Sequence, residues 1–154
     1  MCASFRKNAY CPNSRRFSFG GEMEVWKDIE GFEGLYQVSD HGRVRSLDRV
    51  VNCAAGKGWR IFPGKVLSTF DNNCGGYLGV RLSKNNKARL HYVHKLVAQA
   101  FIPNPNGYEE INHKDECKAN NHADNLEWCD HRYNMTYGTR IERMAATRRN
   151  NKRR

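Results

Sequence analysis

The sequence predicts an α+β fold in which antiparallel strands come first and a helix follows. Two features predict it: from Tyr36 to Val93 short β-prone runs alternate with turn residues, and at Val93 the apolar period lengthens from two residues to that of a helix. A third sets the scale. The chain has 154 residues, 39% hydrophobic and 27% charged, which fits one domain or two very small ones sharing a core.

Residues 1–22 are rich in Ser, Arg, Asn and Gly, show no period and run out at Gly20-Gly21, the pattern of a disordered basic segment, with Met23 as an alternative start. The strands follow. They are Tyr36-Gln37-Val38, Arg43-Val44-Arg45-Ser46-Leu47, Lys65-Val66-Leu67, Tyr77-Leu78-Gly79-Val80-Arg81-Leu82 and Leu90-His91-Tyr92-Val93. Between them Asp40-His41-Gly42, Pro63-Gly64, Asn72 to Gly76 and Asn85-Asn86 supply turns that tolerate or demand positive φ, so the expectation is a meandering antiparallel sheet. Val93, Leu96, Val97, Ala100 and Phe101 then form a buried helical stripe, stopped by Pro103. Further on, Ile111-Asn112-His113-Lys114-Asp115 reads as a strand entering a loop that holds Asn120-Asn121 and Asp124-Asn125-Leu126. Glu127-Trp128-Cys129 reads as the return strand and Asp130 to Tyr137 as a last helical turn.

The net charge of +10 is unevenly placed. Residues 1–21 carry four basic and no acidic side chains, 138–154 carry seven basic side chains against Glu142, and the stretch between is formally neutral. Charge gathered at the ends suits arms that follow a polyanion, and nucleic acid fits better than a membrane because neither end shows an apolar face. No apolar run approaches the roughly 20 residues of a spanning helix, and the first 22 residues lack a signal peptide's apolar stretch, so a cytoplasmic location is expected. The six cysteines agree. They never form the C-x-x-C pair of a zinc knuckle and read as reduced thiols. Gly58 to Gly64-Lys65 imitates a phosphate loop, but five residues intervene instead of four and Val66 stands where Ser or Thr would reach Mg²⁺. Asn134-Met135-Thr136 is a glycosylation sequon that a cytoplasmic chain never presents to the transferase.

The residues able to carry chemistry gather between 111 and 134. Strand, loop, strand and helix can set Asn112 and His113 opposite Asn134 across one cleft. Amide oxygens can ligate a hard cation and an imidazole can deprotonate water, the two functions that phosphodiester hydrolysis needs. Asn and His also cluster in ordinary turns, where side-chain amides bond their own backbone.

Val93-His94-Lys95-Leu96-Val97-Ala98-Gln99-Ala100-Phe101-Ile102, followed by Asn112-His113-Lys114-Asp115, Asn120-Asn121, Asn125-Leu126-Glu127-Trp128 and Asn134, resembles the HNH nuclease domain of phage and intron-encoded homing endonucleases. Upstream, Glu24-Val25-Trp26-Lys27-Asp28-Ile29, Gly31-Phe32-Glu33-Gly34-Leu35-Tyr36-Gln37-Val38-Ser39 and Gly42-Arg43-Val44-Arg45-Ser46-Leu47 resemble the modular DNA-binding motif that commonly precedes such domains. The resemblance implies a β-rich amino-terminal region joined to a ββα-metal (His-Me finger) nuclease core. It divides the chain into a disordered basic segment 1–22, a β-rich DNA-binding module 23–90, an HNH nuclease domain 91–137 and a basic tail 138–154.

Carried over by position, the resemblance makes His113 the general base, Asn125 the residue that braces the loop and orients the base through its amide, and Asn112 and Asn134 the ligands of one divalent cation, Mg²⁺ or Mn²⁺. Many relatives have Asp before the base and His at the third position. Both are Asn here, which keeps ligating oxygens without bringing charge. His94 and His131 are second-rank candidates, the first for packing or hydrogen bonding, the second as a substitute ligand on the same helical face as Asn134. His91 and His122 read as polar surface residues and His41 as a turn residue. DNA contacts are expected from Arg43, Arg45 and Arg49, and from Arg140, Arg143, Arg148 and Arg149 in the tail.

The function so implied is that of a metal-dependent endonuclease on double-stranded DNA, phage-encoded and acting in the host cytoplasm, which leaves a 5′-phosphate and a 3′-hydroxyl. One such site cuts one strand, so a monomer nicks and a double-strand break needs a dimer or two visits. No membrane or protein partner is expected. The other reading is a DNA-binding repressor or recombination accessory with a degenerate nuclease domain, and the retention of His113, Asn125 and Asn134 together argues against it. An RNA-binding splicing role lacks an aromatic stacking signature.

Overall fold

The structure, a computed structural model, describes residues 23–52, 58–71 and 75–139, so the segment 1–22 and the tail arginines Arg140, Arg143, Arg148 and Arg149 lie outside the described residues. Three separate antiparallel pieces precede the helix where one meander was expected. β1 (Trp26–Asp28), β2 (Tyr36–Ser39) and β3 (Val44–Ser46) form the first sheet, β4 (Arg49–Asn52) and β5 (Trp59–Phe62) form a ribbon, and β6 (Phe70–Asp71), β7 (Leu78–Lys84) and β8 (Lys87–Tyr92) form the second sheet. α1 (Val93–Phe101) continues directly from β8. β9 (Glu110–His113) then pairs with β10 (Leu126–Cys129), and α2 (His131–Thr136) follows.

Local sequence explains most of these elements. β7 and β8 meet at Asn85-Asn86, both at positive φ (54° and 59°), a two-residue turn whose twist matches that of the flanking strands. Tyr36 and Val38 alternate with Gln37 on β2, and Val80 and Leu82 alternate with Arg81 on β7, so each strand buries one face. The expected strand Lys65-Val66-Leu67 is only a bridge from Val66 to Arg45, because the Pro63-Gly64 bend brings the chain against β3 for too short a run. Gly64 sits so close there that a Cβ would lie 2.4 Å from the Ser46 carbonyl oxygen.

α1 occupies the centre of the core. Val93, Leu96, Val97 and Ala98 are buried, and the helix touches β2, β7, β8, β9 and β10. Val38 and Val44 from the first sheet, Val80 and Leu82 from the second, and Ile111 and Leu126 from the β9–β10 pair close around it in one cluster. The end of α1 is tied from both sides. Lys27 of β1 donates to the Ala100 carbonyl at 3.0 Å and lies 4.7 Å over the Phe101 ring, a cation placed where the helix dipole is negative. Trp128 of β10 donates its indole N–H to the Ile102 carbonyl at 3.0 Å. No described helix is long and apolar enough to cross a membrane.

The β4–β5 ribbon differs from the rest. Its register sets Val50 opposite Ile61 and Val51 opposite Arg60, and Val50, Trp59 and Ile61 remain 60%, 72% and 69% exposed. Stability should respond accordingly: Leu82→Ala, which empties a fully buried position, is expected to lower the unfolding free energy by about 2–5 kcal/mol. Val50→Ala should change it by no more than about 0.5 kcal/mol, and urea denaturation of both variants checks the contrast.

Candidate active site

The site is organised by the pleat of β9. Successive side chains of a strand point to opposite faces, so Glu110 and Asn112 share one face while Ile111 and His113 share the other. Both faces are covered: α2 packs against one and α1 against the other. The sequence reading placed Asn112, His113 and Asn134 around one cleft. In the structure the Asn112 and Asn134 amides make their hydrogen bonds to Glu127 and Glu110 on the α2 side, and the His113 ring packs beside His94 of α1.

On the α2 side, amides and carboxylates interlock. Asn112 donates Nδ2 to Glu127 Oε1 at 2.8 Å across the β9–β10 pair, and the Tyr133 hydroxyl donates to the same oxygen at 3.2 Å. Asn134 donates Nδ2 to Glu110 Oε2 at 2.5 Å, while His131 Nδ1 lies 2.6 Å from Glu110 Oε1. α2 is oriented at its start by Asp130, whose side chain accepts from the Tyr133 amide at 2.7 Å, and past its end by the Tyr137 hydroxyl, which donates to the Lys114 carbonyl at 3.1 Å. Each Asn thus turns its nitrogen to a carboxylate, and among the described residues neither Oδ1 accepts a hydrogen bond. The two amide oxygens, each on an amide held from behind by a carboxylate, are hard donors of the kind a divalent cation takes. Among the described residues, the cluster of three His, Cys, Asp or Glu ligand atoms lies elsewhere, at Glu24, Asp40 and His41.

On the α1 side, His113 is 5% exposed and its Nε2 lies 3.3 Å from Asn121 Oδ1. An amide oxygen can only accept, so the ring proton sits on Nε2 and the Nδ1 lone pair is left to take a proton. Burial lowers the pKa of His113, the hydrogen bond to Asn121 and the charge of Asp115 raise it, and Lys118 lowers it further, with a net fall. The ring is therefore neutral at neutral pH. Asn121 is held by a close approach: Gly42 adopts φ +77°, and a Cβ there would lie 2.8 Å from Asn121 Cβ. Ala123 N–H donates to the Asp40 carbonyl at 2.7 Å, so the turn after β2 supports the loop that carries the partner of His113.

Asn125 braces that loop without touching the imidazole. Its Oδ1 accepts from the Asp115 amide at 3.1 Å, and its Nδ2 donates to Asp115 Oδ1 and to the Asn120 carbonyl, both at 2.8 Å. Burial raises the pKa of Asp115, but hydrogen bonds from Asn120, the Cys117 amide and Asn125 outweigh it and leave the carboxylate below its usual range. The residue hydrogen-bonded to the His113 ring is Asn121. Sequence reasoning had given no role to it, to Glu110 or to Glu127, although the alternation of Glu110 and Asn112 was the available signal for the latter two.

The expected DNA-binding arginines are partly engaged. Arg43 pairs with Glu24 through Nε at 2.8 Å and through Nη2, and Arg45 holds Gln37 Oε1 while stacking 4.2 Å over Trp26. Arg49 lies 5.6 Å over the Tyr36 ring at the base of the ribbon, whose other strand carries the exposed Arg60. His94 is 7% exposed, and burial together with His113 and Lys95 lowers its pKa to about 3. His91 packs 5.3 Å from Phe32, and His41 and His122 stack at 4.7 Å.

The depressed histidines set a pH dependence. Below about 6.5 the unfolded chain protonates His94 while the folded chain does not, so acid favours unfolding and stability falls as pH drops from 6.5 toward 3. Thermal melts of the wild type should fall across that window, and His94→Phe, which has nothing to protonate, should fall less steeply.

Residues 24–83 match the NUMOD4 motif. The chain is 36% identical over 112 residues to an uncharacterized HNH endonuclease, L245, of Acanthamoeba polyphaga mimivirus, covering 73% of this chain and 29% of that one. It is 37% identical over 113 residues to the DNA endonuclease I-HmuI of Bacillus phage SP01, covering 71% of this chain and 55% of that one. It therefore spans about half or less of the length of these relatives. A solved structure described as DNA binding and cleavage by the HNH homing endonuclease I-HmuI superposes with a TM-score of 0.57 at 30% identity, covering 79% of this chain and 66% of the other. The fold, the motif at residues 24–83 and these likenesses agree: the chain carries a NUMOD4 motif and is similar to HNH homing endonucleases over most of its length.

Proposed function

We propose that the chain hydrolyses a phosphodiester bond of double-stranded DNA, cutting one strand per site. The observation that carries this is the state of His113: a buried, neutral imidazole at the end of β9, next to Asn112, whose Nε2 lies against Asn121 on a loop braced by Asn125. His113 Nδ1 takes the proton of the attacking water. Asn112 and Asn134 would hold Mg²⁺ or Mn²⁺ through Oδ1, with Glu110 and Glu127 orienting the two amides from behind. The chemistry such a cation would supply is neutralisation of the charge that builds on the phosphate and the leaving 3′-oxygen. The amino-terminal module 23–90 contacts DNA, Arg49 and Arg60 of the ribbon supplying cations to phosphates, and the tail beyond 138 adds phosphate contacts that position the protein without specifying sequence.

Purified chain incubated with supercoiled plasmid and Mg²⁺ or Mn²⁺ should yield nicked circles that chelation abolishes. Unaltered plasmid would favour the reading as a DNA-binding protein with a degenerate nuclease domain. His113→Ala should lower the cleavage rate by about 10²–10⁴-fold with DNA affinity within a few-fold of wild type, and cleavage at the wild-type rate would remove His113 from the mechanism.

The ligand assignment has its own test. Asn112→Asp sets a second carboxylate against Glu127, a repulsion that a cation relieves, so activity should saturate at lower Mg²⁺ while the metal-free variant melts at lower temperature. Asn134→Ala should raise the Mg²⁺ required. Metal titrations of both variants that overlay wild type would place the ligands elsewhere, with His131 next in line.

A further inference from the structure

One polar group in the core has no role in the mechanism above. His94, the second residue of α1, packs its ring 5.4 Å from that of His113, with Tyr77 at 4.8 Å and Tyr92 at 5.7 Å. Its Nδ1 is buried and lacks a hydrogen-bond partner. A proton on that nitrogen would be a donor stranded away from water, so the ring proton belongs on Nε2, at the opposite edge of the ring. Burial keeps the imidazole neutral through the range in which a nuclease works. His94 is thereby limited to one kind of chemistry. It can donate a hydrogen bond from Nε2, and it cannot serve as a second base through a nitrogen that no substrate atom reaches.

The surroundings indicate what would accept that hydrogen bond. Lys118 holds its ammonium 4.5 Å over Tyr77, on the ring that touches both His94 and His113, so a cation stands at the edge of the imidazole pair. A carboxylate or carbonyl of the protein is missing from the described partners of His94, although the fold spends a buried position on a polar ring where an apolar one would pack. Two neutral imidazoles side by side, one with a lone pair to offer and one with a proton to offer, complement a phosphodiester group and its attacking water. We infer that His94 is a catalytic residue whose Nε2–H donates a hydrogen bond to a non-bridging oxygen of the scissile phosphodiester while His113 deprotonates the water. The inference rests on the hydrolytic reading above. The charge that develops on that oxygen strengthens the bond in the transition state, as for any preorganised donor of the oxyanion-hole type.

The test uses single-turnover cleavage of a DNA duplex in Mn²⁺, with the scissile phosphate unmodified or carrying sulfur in place of either non-bridging oxygen. His94→Phe keeps a ring in the same packing and removes the donor, while His94→Gln keeps an N–H donor. The expected result is a cleavage rate about 10–10³-fold lower for His94→Phe at unchanged DNA affinity, with partial recovery in His94→Gln. One phosphorothioate diastereomer should slow wild type and lose that selective effect in His94→Phe. If His94→Phe fails to fold, as thermal melts would show, His94→Gln carries the same diastereomer comparison as a reduced selective effect. Wild-type rates in His94→Phe, or equal slowing in both variants with the diastereomer effect intact, would make His94 a packing residue and overturn the proposal. A wild type that cleaves no duplex would overturn the hydrolytic reading itself, and this inference with it.

Discussion

Neither face of β9 is left to water, and that is the constraint from which the rest of the site follows. α1 packs on one side of this four-residue strand and α2 on the other, so Asn112 and His113 are 6% and 5% exposed in spite of their polarity. A buried amide or imidazole without partners costs more than its hydrogen bonds return, so each must be met by a group placed for it. Glu127 meets Asn112 and Asn121 meets His113. Burial of these polar groups thus dictates a second set of residues, and that set dictates which atoms remain for chemistry: the Oδ1 atoms toward α2 and Nδ1 of His113 toward α1.

The hydrogen-bond partner of His113 ties the site to the first sheet. Asn121 lies against Gly42, where any side chain would collide with it, and the neighbouring Ala123 amide bonds the Asp40 carbonyl. The NUMOD4 motif spans residues 24–83, so the turn after β2 belongs to that motif while the loop it supports belongs to the site. The hydrophobic core repeats the arrangement, because α1 gathers apolar side chains from both sheets and from the β9–β10 pair into one cluster. Two segments that resemble separate modules in sequence therefore share both a core and a hydrogen-bonded contact. A substitution in the turn at residues 39–42 can reach His113 through Asn121 with every residue between 91 and 137 unchanged.

What could be read from the sequence was local. The helical stripe from Val93, the turn at Asn85-Asn86 and the return strand at Glu127 depend on residues within a few positions of one another, and each is present. The β4–β5 ribbon escaped because Val50-Val51 and Trp59-Arg60-Ile61-Phe62 face water on both sides, so the alternation that marks a half-buried strand is missing. Asn121 and Glu110 escaped for a related reason. Their importance lies in whom they touch, His113 eight residues away and Asn134 twenty-four away, and pairings of that span depend on the finished fold. His113 was picked out by its chemistry and by its place in the motif, while the separation of His113 from Asn112 across the strand needed the pleat.

That separation bears on why two neutral ligand candidates can suffice. Asn112 and Asn134 bring no charge, yet each gives its N–H to a carboxylate, which polarises the amide and leaves its oxygen more negative than a free amide's. The negative charge of the site thus sits behind the two amides, on Glu127 and Glu110, on the face of β9 turned away from His113. The carboxylate that raises the pKa of His113 is instead Asp115, and burial outweighs it. A carboxylate at position 112 would add charge one residue from His113 and favour its protonated form. With the Glu110 and Glu127 carboxylates behind the amides toward α2 and the His113 ring packed toward α1, the strand's two-residue repeat keeps most of the local negative charge off an imidazole that stays neutral.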